Sequence, residues 1–129
     1  MKKGVILMPW NFNENTPIYQ QIIEHIKLSI AVGEYSAGDK LLPVRELASV
    51  AEVNPNTMQK ALSELEREGL VFSQRTAGRY ITEDKEKISE LRRTLAQDQI
   101  DWFITKMSQL GFTAEEAIEQ LRKHIDGDK

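Results

Sequence analysis

The sequence contains no cysteine among its 129 residues. It therefore has neither a disulfide nor a thiolate metal site, which suits a reducing compartment. It also lacks a long apolar run, because Pro9 ends the short one at residues 5–8. That run is too short for the core of a signal peptide and for a membrane span. These absences predict a cytoplasmic protein with no membrane segment.

Histidine is scarce, and neither His25 nor His124 lies at a recognisable catalytic or metal-binding spacing. The seven glycines match no phosphate-binding loop. We therefore expect no enzyme activity, and we predict no cofactor and no metal.

The chain has no excess of positive charge, since 17 Lys and Arg face 20 Asp and Glu, for a net charge of −3. Residues 1–82 contain nine of each sign, so the acidic excess lies in residues 83–129. Any contact with nucleic acid must therefore depend on a local arrangement of positive charge.

A helix with polar groups at its exposed end is predicted from Asn54 to Gly69. Asn54 suits the N-cap and Pro55 the first helical position, and Gly69 is a typical helix stop. Spacings of three and four place one apolar stripe on the helix, formed by Met58, Ala61, Leu62 and Leu65. The remaining faces of the first turns carry groups able to contact base edges and phosphates: Asn56, Thr57, Gln59 and Lys60.

A helix-turn-helix is predicted around this segment. An earlier helix is expected from the capping pair Thr16 and Pro17 to about residue 32. Residues 40–42 can form a short strand, and Pro43 opens a second helix. Residues 52–54 separate that helix from the next one, which is the helix-turn-helix layout.

A β-hairpin follows, with strands expected at residues 70–73 and 79–82 and a loop at residues 74–78. The loop carries Arg75, and Arg79 follows Gly78. A helix-turn-helix followed by a hairpin with cations is typical of a winged helix. The fold class is thus mainly α with a small β-wing (α+β).

The last part of the chain is predicted to contain two helices after a charged joint at residues 83–87. The first, at residues 88–110, carries two apolar tracks, and a capping box at Thr113 and Glu116 begins the second. Two helices cannot bury two apolar tracks between themselves. We expect a second copy of the chain to cover the surplus, although the tail could instead fold back on its own winged helix. The predicted dimer interface consists of Leu95, Ile100, Trp102, Phe103 and Met107.

The predicted organisation is a DNA-binding winged helix-turn-helix at residues 1–82 and a dimerisation tail at residues 83–129. Residues 1–15 form a leader, in which Trp10 and Phe12 are expected to contact the first helix or a partner chain.

The sequence resembles the GntR family of bacterial transcription regulators, and within it the small YtrA-like subgroup. The resemblance covers residues 12–82, and the run at residues 54–57, Asn-Pro-Asn-Thr, is specific to the subgroup. A two-helix tail in place of a large effector domain also suits the subgroup. Further matching pieces are residues 17–22, 38–41, 44–48, 61–62 and 68–71.

The resemblance implies DNA contacts from the second helix, the start of the recognition helix and the wing. Operators in the family are typically inverted repeats with GT and AC ends, so Arg45 would contact a guanine. Lys60 and Arg75 would hold phosphates. The complete set predicted for DNA binding is Arg45, Asn54, Asn56, Thr57, Gln59, Lys60, Arg75, Gly78 and Arg79.

The chain departs from the family pattern at two places. Leu41-Leu42-Pro43 replaces the usual Leu-Pro-Ser before the second helix. The wing lacks one glycine and its tip lysine, although a cation reappears at Arg79.

The predicted function is a homodimeric repressor that binds an inverted-repeat operator in double-stranded DNA. The alternative is a winged helix that contacts proteins, which the altered wing and the absent basic excess would favour. The sequence identifies no small-molecule effector.

Overall fold

The computed structural model describes residues 10–75 and 77–127. It is mostly helical with one two-stranded antiparallel sheet, which confirms the predicted fold class. In chain order the elements are α1 (Ile18–Ala31), α2 (Val44–Ala51), α3 (Pro55–Arg67), β1 (Val71–Gln74), β2 (Gly78–Ile81), α4 (Lys85–Gln109) and α5 (Ala114–Ile125).

The chain divides into two compact units, Met1–Arg92 and Arg93–Lys129. This division falls within α4, whereas the sequence placed a functional boundary at 82/83. The first unit contains α1 to α3, the hairpin and the start of α4. The second unit contains the rest of α4 and all of α5.

The α3 helix is the centre of the first unit, because it packs against α1, α2 and β1. The predicted apolar stripe on α3 is fully buried, with 0% exposure at each of its four positions. The neighbouring elements bury apolar side chains as well, namely Ile22, Ile26, Ile30, Leu47, Ala48 and Val71. One face of α3 is therefore committed to the core, and its other face is left for solvent.

The predicted ends of α3 are confirmed. The Asn54 side-chain oxygen accepts a hydrogen bond from the Asn56 amide at 2.7 Å, and Pro55 is the first helical residue. The helix ends at Arg67 with Glu68 as its C-cap, and Gly69 has the positive φ of 82° that a left-handed stop requires.

The predicted start of α1 is wrong by one residue. Pro17 is the N-cap, not the first helical residue, and no side chain caps it. Gln21, in the first turn, instead binds the residues that precede the helix, because its Nε2 donates to the carbonyl oxygens of Asn13 and Thr16.

The predicted strand at residues 40–42 is reduced to a single bridge between Lys40 and Tyr80. The Leu41 amide donates to the Arg79 carbonyl at 2.9 Å. Pro43 has no N–H and α2 begins directly after it, so the pairing cannot extend.

The turn between α2 and α3 has the expected place. Glu52 adopts a left-handed conformation with φ of 59°, and the Val53 amide donates to the Ala48 carbonyl at 3.0 Å. Val53 is half-buried.

The charged joint predicted at residues 83–87 is largely helical. Asp84 Oδ1 accepts from the amides of Glu86 and Lys87, so α4 begins at Lys85, before the predicted start at 88. The capping box at Thr113 and Glu116 is present as predicted and begins α5.

Residues 1–9 of the predicted leader lie outside the described residues, and the described part, residues 10–15, contacts α1, which is one of the two predicted partners. The Trp10 ring stacks on the His25 ring with centroids 3.7 Å apart, and Phe12 lies 6.1 Å from Trp10.

We expect Leu62→Ala to lower the free energy of unfolding by about 2–5 kcal/mol, because it opens a cavity in the α3 core. Leu28→Ala in α1 is the matched control, since Leu28 is 44% exposed. The control should change stability by about 0.5 kcal/mol or less. Urea denaturation at one protein concentration measures both, and equal losses would contradict the packing described for α3.

Candidate nucleic-acid interface

The exposed end of α3 carries most of the polar residues predicted to contact DNA. Asn54, Asn56, Gln59 and Lys60 are exposed, and Thr57 is half-buried. Because the apolar stripe on the opposite face of α3 is buried, these polar side chains face away from the core. They surround a helix N-terminus, where free amides and the helix dipole favour a negatively charged ligand.

Lys60 is oriented by a contact with α1. Its Nζ lies 3.9 Å from the centre of the Tyr19 ring, which is a cation–π distance. The contact holds the ammonium group at the α1 side of the exposed end of α3 while the side chain stays exposed.

The other predicted cations flank α3. Arg45 is the second residue of α2 and is exposed. Arg75 follows β1 and is also exposed, next to Thr76, which lies outside the described residues. Gly78 begins β2 with φ of 97°. A Cβ there would meet Lys40 Cε at 3.6 Å, an ordinary contact, so this position favours glycine for its backbone conformation alone.

Arg79 differs from the other cations, because its guanidinium is bonded within the protein. Its side chain is 17% exposed, and its Nε donates to Glu66 Oε1 at 3.1 Å. Its Nη1 donates to Gln59 Oε1 at 3.5 Å. The sequence predicted that Arg79 binds DNA, whereas the structure bonds its guanidinium to two residues of α3.

Glu66 is a residue that the sequence analysis missed. Its second oxygen, Oε2, accepts from Ser73 Oγ at 2.6 Å, so both hairpin strands are bonded to α3. Ser73 and Arg79 are partners in the hairpin register. The sequence predicted strands at residues 70–73 and 79–82, each one residue away from the observed β1 and β2. The position of Glu66 beside the Ser73 and Arg79 pair depends on how the hairpin packs on α3.

The hydrogen bond from Ser73, together with the hydrogen bond and positive charge of Arg79, lowers the pKa of Glu66, although partial burial opposes this shift. Glu66 thus keeps its negative charge, which is the form that accepts both bonds.

Two other features are absent from residues 10–75 and 77–127. No group of three acidic, histidine or cysteine side chains there could hold a metal ion. None of the helices in those ranges is long and apolar enough to cross a membrane.

We expect Glu66→Gln to lower the free energy of unfolding by about 1 kcal/mol at pH 7, below the usual value for a charged hydrogen bond because Glu66 is partly exposed. The folded pKa lies below the ordinary carboxyl pKa. The stabilisation that Glu66 provides is therefore fully present at pH values above the ordinary carboxyl pKa. It is lost as the pH falls through the pKa of Glu66 in the folded protein. Urea denaturation between pH 7 and pH 3 measures it. A difference that persisted unchanged at pH 3 would contradict this origin.

The chain matches known proteins over most of its length. Residues 18–81 match the family described as "Bacterial regulatory proteins, gntR family". The HTH-type transcriptional repressor YtrA of Bacillus subtilis (strain 168) is 39% identical over 119 residues, covering 89% of this chain and 92% of YtrA.

Solved structures resemble it as well. A GntR family transcriptional regulator from Listeria monocytogenes has a TM-score of 0.81 at 45% identity, covering 87% of this chain and 98% of that one. AraR(DBD), solved in complex with operator ORE1, has a TM-score of 0.50 at 26% identity, covering 59% of this chain and 95% of that one. These similarities confirm the predicted resemblance to the GntR family. They also confirm the prediction of a transcription regulator and not an enzyme, because the relatives are named as regulators. The chain belongs to the GntR family of bacterial transcription regulators.

Proposed function

We propose that this protein is a cytoplasmic transcriptional repressor that binds an inverted-repeat operator in double-stranded DNA as a homodimer. The observation that carries the proposal is the exposed N-terminal end of α3, with its amide, hydroxyl and ammonium side chains, on a GntR-family fold. The similarity to the YtrA repressor and to an operator-bound AraR domain supports it.

In this proposal α3 enters the major groove, the usual place of a recognition helix. Asn56 and Gln59 have the amide groups that pair with base edges, and Arg45 has the fork of donors that fits guanine. Asn54 and Thr57 stand at the same end of α3. Lys60 and Arg75 hold phosphates, and Gly78 lets the wing backbone approach the DNA.

The proposed dimer uses the second unit, whose helices expose many large apolar side chains. Trp102 is 61% exposed and Ile100 53%, although both belong to a helix of a compact unit. The other predicted interface residues, Leu95, Phe103 and Met107, are half-buried. Further exposed apolar residues here are Leu110, Ile118, Leu121 and Ile125. A second copy would cover them, and its two-fold symmetry would match the two halves of an inverted repeat.

Arg45→Ala should weaken binding to the best operator by about 1–3 kcal/mol and relax the base preference at one position in each half-site. The reason is the loss of a two-bond contact to guanine. Competition titrations against operators that differ at single positions measure both effects. A loss of affinity that is equal on operator and random DNA would make Arg45 a backbone contact.

Lys60→Ala should weaken binding to all DNA sequences alike, because it removes a phosphate contact. The slope of log affinity against log salt concentration should become shallower by about one unit per protomer. Arg67→Ala is the matched control, since Arg67 is an exposed cation near the opposite end of α3 and pairs with Glu64. An unchanged slope for Lys60→Ala would contradict its proposed role. A native chain with no salt-dependent DNA binding would favour the protein-contact alternative.

Replacement of both Ile100 and Trp102 by alanine should shift the protein from dimer to monomer, because buried aromatic anchors dominate interface energies. Affinity for the inverted repeat should fall, and affinity for an isolated half-site should stay the same. Sedimentation equilibrium measures the shift from dimer to monomer. Leu28→Ala is the control, because Leu28 is an exposed apolar position outside the tail. A variant that still sediments as the native dimer would contradict the proposed interface.

A further inference from the structure

Side chains from three elements meet along one face of α3, from Gln59 near its N-terminal end to Glu66 near its C-terminal end. Glu66 and Gln59 come from α3, Ser73 from β1 and Arg79 from β2. Glu66 accepts from Ser73 and from Arg79, and Arg79 also donates to Gln59. We call these four residues the wing bracket.

The charges of the wing bracket make Arg79 a poor phosphate ligand. Its Nε–H is directed at the Glu66 carboxylate, and its side chain is 17% exposed. A phosphate that approached the remaining N–H groups of Arg79 would also meet the negative charge of Glu66, whose other oxygen accepts from Ser73. The Arg79 charge is thus largely compensated inside the protein.

The same guanidinium determines how Gln59 is oriented. A guanidinium can only donate hydrogen bonds, so the Gln59 oxygen faces Arg79. The Gln59 Nε2 group lies on the other side and donates to Ser63 Oγ at 3.3 Å. Both bonds are long, so the side chain is oriented and yet remains available to a base edge.

We propose that Arg79, held by Glu66 and Ser73, is a positioning residue that sets the orientation of Gln59 and thereby the base preference at the position that Gln59 contacts. The inference rests on the proposed function, and it assigns to the wing a role in sequence selection that does not require Arg79 to touch DNA. Lysine cannot replace arginine in this role, because it lacks the fork that spans Glu66 and Gln59.

The DNA test compares the base preference and the salt slope of full-length variants. Arg79→Ala and Arg79→Lys should both reduce the preference at one position per half-site by about fivefold or more, with an unchanged salt slope. In a Gln59→Ala background, Arg79→Ala should have no further effect on that preference. These three results together support the proposal.

Other outcomes overturn it. A slope that is shallower by about one unit per protomer, restored by Arg79→Lys, would make Arg79 a phosphate contact. An equal loss on all DNA sequences, together with a lower melting temperature, would give Arg79 a purely structural role. Arg67→Ala is the matched control, because Arg67 pairs with a glutamate of its own helix and not with the wing.

A measurement without DNA separates this proposal from the proposed function. In ¹⁵N-labelled full-length protein, Glu66→Gln and Arg79→Lys should each shift the side-chain amide resonances of Gln59. Glu64→Gln, which removes the equivalent charge from the Arg67 pair, should not. Absence of a Gln59 shift overturns the wing bracket whatever the DNA results. If the shift is present but the native chain has no sequence preference on DNA, the proposed function fails, and with it the role in base preference, while the bracket itself stands.

Discussion

The burial of one face of α3 is the constraint on which the other features of the first unit depend. Met58, Ala61, Leu62 and Leu65 have no exposed surface, and α3 packs against α1, α2 and β1. Rotation of the helix about its axis would bring polar residues into this core, at a cost of several kcal/mol. The stripe therefore fixes the outward direction of the opposite face, on which the proposed function depends.

A polar interaction fixes the hairpin. Val71 and Ile81 bury apolar surface, but such contacts are not directional. The bonds from Ser73 and Arg79 to Glu66 are directional, and they join both strands to the helix that is proposed to contact DNA. Apolar packing thus holds the hairpin against α3, and a charged group determines how the two are aligned.

The two units differ in how much of their apolar surface is buried. Among the described residues, the first unit buries a large apolar core that includes Ile22, Leu47 and Leu62, whereas the second buries Ala117 and exposes Trp102, Leu110 and Ile125. Exposed apolar groups concentrated in one short segment are typical of an interaction surface and not of an isolated monomer. This contrast is the physical basis for assigning different roles to the two parts of the chain.

Sequence alone determined what depends on neighbouring residues: the Asn54 cap, the buried stripe of α3 and the capping box at Thr113. Caps act within three residues, and helical periodicity acts within one or two turns. Tertiary structure decided the partners of Arg79, which are 13 and 20 residues away. Such bonds form only after packing brings distant segments together, so an arginine in a loop-and-strand pattern looks the same whether it faces DNA or a glutamate.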